Sequence, residues 1–333
     1  MDSLTQIVLG AAVGEAVLGK KVGNKAMLYG AIAGTIPDLD VVARYIFDTV
    51  TATEIHRGFT HSIFFSVLFA PILGWLVWRL NRKEEATWKD WSWLMFWGLF
   101  THPILDAFTT WGTQLFWPLS TRLAFQSIFV IDPLYTVPFL ICLVLIVFKK
   151  RTSAKRKRLV RLGLIISSSY LALTLLLKGF AYQKFEEALT LNGIAYTAMN
   201  TRPAPFNTLL WMANIETEDA YLMADYSFFD RQSISFKAYP KNHNLLGNLV
   251  TDDKVKRLIA ITEGWYTVTK KEGKLYINDL RFGLISMDTT EDQFAFSYQL
   301  NETTDGLTVK EMPKNRKDAT RLMAFLWQRI MGN

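Results

Sequence analysis

Cysteine is nearly absent from the 333 residues, and Cys142 stands alone. That excludes a disulfide framework and a thiolate-built metal site. Cys142 lies in an apolar run and reads as packing. Internal repeats and low-complexity tracts are also missing. Residues 1–6 lack a basic n-region, and no small-residue cleavage motif follows a compact apolar core, so the sequence predicts no cleavable signal peptide and a first helix that stays in the mature protein. Histidine is scarce, at four residues. Apolar residues are plentiful: half the chain is hydrophobic and the mean hydropathy is slightly positive, which excludes disorder.

The formal charge of +7 raises the question of a nucleic-acid partner, and the answer depends on where the charge sits. Residues 1–178 hold 19 Lys and Arg against 11 Asp and Glu, whereas residues 179–333 hold 18 against 19. The chain changes character near residue 180.

Residues 59–80, 93–111, 128–148 and 159–177 are apolar runs close to the ~20 residues a helix needs to cross a bilayer. Trp, Arg and Lys bound them, as at membrane interfaces. The first 36 residues, rich in Gly and Ala and interrupted by KKVGNK, suit one tilted span or a hairpin of two short helices. Basic residues set the orientation. Residues 79–89 carry four, and residues 149–161 carry eight with no acidic residue, so both loops are expected in the cytoplasm. The basic cluster then anchors on anionic lipid, and no nucleic acid is expected. Residues 37–57, residues 112–126 and the whole second half come out on the opposite side.

After residue 180 turn signals appear and the apolar runs shorten. Residues 181–196 have helical spacing at first. Alternating β-formers follow, with Lys271-Glu272-Gly273-Lys274 as a hairpin turn, and together they predict an antiparallel sheet. Residues 318–331 restore a helical period through Leu322, Phe325, Leu326 and Ile330. His243 reads as a surface loop residue without a metal role.

Three of the four histidines fall within the first 102 residues, each with polar company. IPDLD supplies Asp38 and Asp40, HRGFTHS supplies His56 and His61, and THPILDAFTTWG supplies His102 and Asp106. On a helix the last two share one face, a turn apart, so both can reach one ion. IDPLY sets Asp132 at the start of the next span. Ionisable groups inside a membrane segment cost ~2.5 to 3.5 kcal/mol on insertion scales, so they face a protein interior and mark function. The bland reading of His102 and Asp106 is a hydrogen bond between helices. It weakens because topology brings the other clusters to the same outer level.

Carboxylates gathered without cations repel and take up protons, and a divalent metal removes the conflict. Imidazole with carboxylate and no thiolate suits Zn²⁺, Mn²⁺ or Fe²⁺, and more than four ligands would allow two ions. The chemistry available is hydrolysis by activated water. Arg57 beside His56 is placed to clamp an anionic oxygen or, in the plainer reading, to snorkel.

The motif order MDSLTQIVLGAAVGEA, PDLD, HRGFTHS, HPILDAFTTWG and IDPLY resembles the bacterial YdjM-type inner-membrane proteins, regarded as metal-dependent hydrolases. The resemblance covers about residues 1–150. It implies that Asp38, Asp40, His56, His61, His102 and Asp106 belong to the metal-site motifs, and a more distant likeness to zinc-dependent phospholipase C and P1 nuclease implies phosphoester hydrolysis. Where many members carry histidine this chain has Gln6, a poorer zinc ligand, so either one metal fewer binds or Gln6 orients a water. Asp2 shares its helix face.

The sequence thus predicts an α-helical polytopic membrane domain of about five segments over 1–180, in a bacterial inner membrane. A soluble extracytoplasmic α+β domain with an antiparallel sheet follows over 181–333. The leading function is metal-dependent hydrolysis of a phosphoester on a lipid or amphiphile. The expected ligands are Asp38, Asp40, His56, His61, His102 and Asp106, the metal is zinc before manganese or iron, and His56, Asp40 and Arg57 act as catalytic groups. Metal or proton transport and a non-enzymatic scaffold are the competing classes.

Overall fold

The computed structural model describes residues 1–286, 292–304, 306–313 and 319–333. The chain divides into two compact units. The first comprises residues 1–43, 55–177 and 205–208; the second comprises 44–54, 178–204 and 209–333.

The first unit opens as a hairpin, one of the two arrangements the sequence allowed. Helix α1 (Ser3–Val22) and helix α2 (Asn24–Thr35) are joined at Gly23, whose φ of 63° is in the left-handed region that glycine reaches without strain. The hairpin closes on small residues. A Cβ on Gly10 would lie 2.3 Å from the Gly30 carbonyl oxygen, and one on Gly14 would lie 2.2 Å from that of Ala26. Lipid tails are as apolar as leucine, so close backbone packing of this kind is what binds helices in a membrane.

A 3-10 segment, Ile36–Tyr45, follows, then helix α3 (Thr49–Ile55), a 3-10 turn at Phe59–His61, helix α4 (Ile63–Leu80), helix α5 (Trp88–Asp106), helix α6 (Pro133–Val147) and helix α7 (Ala154–Leu191). Local chemistry explains the starts. Ser62 caps α4 by accepting from Phe65 N–H, Thr87 and Asp90 form a capping box on α5, and Asp132 caps α6 ahead of Pro133. The apolar run beginning at residue 59 is therefore helical only from Ile63, which leaves His61 ahead of the helix. Two buried clusters fill the bundle, one around Val8, Phe139 and Ile146 and the other around Ala26, Trp91 and Leu99. Cys142 is buried there as a free thiol.

Among the described residues, three helical stretches are long and apolar enough to cross a membrane: Asn24–Tyr45, Ile63–Leu80 and Ala154–Leu191. Helix α6 is apolar but shorter; its 15 residues rise about 22 Å. Helix α7 runs through residue 180 unbroken for 38 residues, so the change in composition there is not a break in the backbone.

The second unit carries two four-stranded antiparallel sheets. The first is ordered β1 (Ala198–Pro203), β2 (Leu210–Glu216), β3 (Ala220–Ser227), β4 (Lys237–Pro240). The 3-10 segment His243–Thr251 and helix α8 (Asp253–Ile261) separate it from β5 (Tyr266–Lys271), β6 (Lys274–Ser286), β7 (Gln293–Thr303) and β8 (Gly306–Glu311). The predicted hairpin turn is present, with Glu272 and Gly273 both at positive φ. Val255 and Leu258 of α8 pack on Val268 and Ile277, all four fully buried, each worth ~1.5 to 3 kcal/mol of apolar burial. His243 stacks on Tyr266 with ring centroids 4.0 Å apart and serves packing. Helix α9 (Ala319–Ile330) closes the chain; Asp318 and the side chain of Leu322 lie outside the described residues.

Candidate metal centre

Four side chains from three separate elements meet in the first unit. Asp38 comes from the 3-10 segment, His61 from the turn before α4, and His102 and Asp106 from one face of α5. Their candidate ligand atoms all lie within 4.8 Å of one another. The two histidines and Asp106 are fully buried, whereas the Asp38 side chain is 22% exposed and marks the open side.

The hydrogen-bond pattern assigns the tautomers. His102 Nδ1 lies 2.6 Å from the Gly34 carbonyl oxygen, which only accepts, so Nδ1 carries the proton and Nε2 holds the lone pair. The Thr60 hydroxyl donates to Asp40 Oδ2 at 3.0 Å, so its oxygen accepts from His61 Nδ1 at 3.1 Å. Asp40 Oδ2 lies 3.3 Å from the same nitrogen. Burial opposes charge on His61, but the Asp106, Asp38 and Asp40 carboxylates around it raise its pKa to about 9, so its Nε2 carries a proton that a bound ion would displace. The two Nε2 atoms are 3.1 Å apart, and Asp106 Oδ2, which faces both, has no aligned hydrogen-bond donor. Two imidazoles and two carboxylates gathered this closely form a donor set that could hold a cation in place of that proton.

The spacing suits a small one. His61 Nε2 is 3.4 Å from both Asp38 Oδ1 and Asp106 Oδ2; His102 Nε2 is 3.4 and 3.6 Å from the same atoms. A tetrahedral ion with bonds of ~2.0 to 2.1 Å has ligand-to-ligand edges of roughly 3.3 to 3.4 Å. Calcium, with six to eight oxygen ligands, does not match this donor set.

Asp40, His56 and Arg57 form the next layer. Asp40 accepts from Arg57 N–H at 2.9 Å and lies 2.9 Å from His56 Nδ1, so both its oxygens are engaged and it faces His61 from the side opposite the cluster. His56 stands outside the group of four. Burial lowers its pKa, and the Asp40 carboxylate offsets part of that effect. The Arg57 guanidinium donates to Thr109 at 2.8 Å and lies 3.0 Å from Asp106 Oδ2 as an ion pair without hydrogen-bond alignment. Arg57 has a φ of 60°, a conformation that non-glycine residues adopt at a cost. Gln6 donates to Asp106 Oδ1 at 3.0 Å, and the Met1 nitrogen contacts the same oxygen. Asp2 caps α1 instead of joining the site, and Asp132, whose Oδ2 accepts from the Tyr170 hydroxyl, caps α6.

The sequence profile of the YdjM inner membrane protein family matches residues 1–181, more than half the chain and the whole of this centre. The chain belongs to the YdjM family. No curated protein and no solved structure matches. The YdjM region ends inside α7, so the strands of the second unit lie beyond the match.

Sequence reasoning missed several residues that hold this YdjM centre together. Gly34 acts through its carbonyl, which no side-chain motif can reveal. Thr60 and Thr109 sit inside the motifs but resemble ordinary spacers. Arg122, whose guanidinium donates to the His56 carbonyl at 3.1 Å, comes from a loop far along the chain.

Proposed function

We propose that this YdjM protein is a membrane-bound hydrolase that uses a divalent ion, zinc by its donor set, at Asp38, His61, His102 and Asp106. The observation that carries the reading is the pair of imidazole Nε2 atoms held 3.1 Å apart beside two carboxylates. Bound there, the ion supplies Lewis acidity and makes water a nucleophile near neutral pH. The chain's own residues do the rest. Gly34 and Asp40 hold the two imidazoles in the tautomer that presents Nε2. His56, held neutral and oriented through Nδ1 by Asp40, takes a proton at Nε2. Arg57 is a guanidinium beside the cluster and stabilises charge developing on an anionic oxygen.

The substrate class is a phosphoester on a lipid or other amphiphile, reached from the side on which Asp38 is exposed. The reading counts about five membrane segments, the α1–α2 hairpin, α5 and the shorter α6 with the two long helices, and the Lys and Arg asymmetry of the loops supports a centre at the outer face. The basic loops are then cytoplasmic and the C-terminal unit extracytoplasmic.

The test is metal analysis of purified protein joined to phosphoester turnover in mixed micelles. The expected result is transition metal bound in stoichiometric amount, with hydrolysis lost on chelation and in His102→Ala. Turnover that survives chelation would overturn the reading, as would protein that binds no transition metal.

A further inference from the structure

Gln6 lies on α1 with 1% of its surface exposed, and both of its amide hydrogens are engaged. Nε2 donates to Asp106 Oδ1 at 3.0 Å and to the His102 backbone carbonyl at 3.3 Å. The reversed amide would press its oxygen against two acceptors, so the orientation is chemically determined. Oε1 has no hydrogen-bond partner among the described residues. Gln6 therefore meets the centre as a donor, and what it grips is a carboxylate oxygen.

That contact divides the two oxygens of Asp106. Oδ1 faces an N–H donor, while Oδ2, without a hydrogen-bond donor, faces His61 and His102 at 3.4 and 3.6 Å. The same amide holds the backbone of one candidate ligand and the side chain of the other, one helical turn apart. Beyond Asp38 Oδ2, a second ion next to the first would need further unengaged carboxylate oxygens. Both oxygens of Asp40 are already taken, Oδ2 by Arg57 N–H and the Thr60 hydroxyl and Oδ1 facing His56 Nδ1. Asp106 Oδ1 is taken by Gln6 and is contacted by the Met1 nitrogen as well.

We infer that Gln6 is a positioning residue that confines Asp106 to one-oxygen ligation and keeps the centre to a single divalent ion. This rests on the metal reading above, and the experiment separates the two. The full-length protein in detergent is stripped with a chelator and titrated with zinc against a chromophoric competitor, and cobalt(II) serves as the spectroscopic probe. Wild type binds one equivalent, and its cobalt form shows the intense visible bands of a four-coordinate site. Gln6→Leu binds zinc 10- to 100-fold more weakly, the usual range for loss of an outer hydrogen bond to a ligand. Its cobalt bands weaken as Asp106 turns to offer both oxygens. Asn81→Leu removes another buried amide of the same unit, bonded to the Tyr29 hydroxyl, and leaves zinc affinity unchanged. Gln6→Glu keeps the shape but replaces the donor with an acceptor, and it gives the same losses if Gln6→Leu does not fold. Wild-type affinity and spectrum in both Gln6 variants would overturn the positioning role alone. Two equivalents in wild type would overturn the single-ion assignment, and no zinc in wild type would overturn the metal reading itself.

Discussion

His61 and His102, 41 positions apart in the chain, bring their Nε2 atoms to 3.1 Å, and each turns its Nδ1 to a partner outside the cluster, Thr60 and the Gly34 carbonyl. A proton shared at this contact would give way to a bound cation, so metal and fold are expected to be linked thermodynamically. A ligand that binds only the native state at a hundred times its Kd adds ~2.7 kcal/mol of stability. Zinc should raise the melting temperature of chelated protein, and the rise should vanish in His61→Ala. Equal melting with and without zinc would refute the linkage.

Asp38 and Asp40 are two residues apart and flank opposite nitrogens of His61, at 3.4 Å from Nε2 and 3.3 Å from Nδ1. They should therefore fail differently. Asp40→Asn is expected to weaken zinc binding about 10- to 100-fold without changing the stoichiometry. Asp38→Ala, which removes a candidate ligand, should cost more. Competition titrations of the two variants check the order.

The hairpin of α1 and α2 sets the site indirectly, because His102 bonds to the Gly34 carbonyl and Gln6 to Asp106. A Cβ on Gly30 would lie 2.2 Å from the Gly10 carbonyl oxygen. Gly30→Val should force the helices apart, with the ~1 to 3 kcal/mol typical of overpacking, and weaken zinc affinity together with stability. Thermal unfolding in detergent and zinc titration on the same sample would show whether the two losses travel together.

His56 has a pKa lowered by burial, against the opposing pull of Asp40. The folded protein thus favours the neutral ring more than the unfolded chain does. Stability from this residue is present above about pH 6.5, the unperturbed value, and is lost as pH falls through the folded pKa. His56→Gln should flatten the acid side of the stability profile measured by denaturant titration between pH 5 and 7.

The second unit is held by a buried pair. Arg281 and Asp279 are 1% and 0% exposed and meet at 2.8 Å. Asp279→Ala would leave a buried guanidinium with less compensation, and a loss of ~3 to 5 kcal/mol is expected. Urea unfolding followed by tryptophan fluorescence would measure it.

Much of the centre was legible because its signals are local. His102 and Asp106 share a helix face by the 3.6-residue period alone, and α5 carries them as that period demands. Gly-rich stretches flanking KKVGNK allowed a hairpin, and the left-handed Gly23 with a backbone approach so close that a Cβ on Gly30 would lie 2.2 Å from the Gly10 carbonyl oxygen is what selects it. The membrane character of α4 and α7 follows from composition. Their limits were less visible: Ser62 caps α4 and so excludes His61 from it, while nothing at residue 180 stops α7.

Which of the six candidate ligands face the cluster could not be read from spacing. In IPDLD the carboxylates are equivalent, and in HRGFTHS the imidazoles are. A side chain's chemistry depends on which partner atom lies within about 3 Å, and that partner arrives from elsewhere in the chain. Residue types and their local period determined that a helical membrane domain would gather His and Asp. Only the tertiary structure decided that His61 and His102 turn their Nε2 atoms inward while Asp40 and Gly34 hold the other nitrogens, because hydrogen-bond direction is a property of pairs in space.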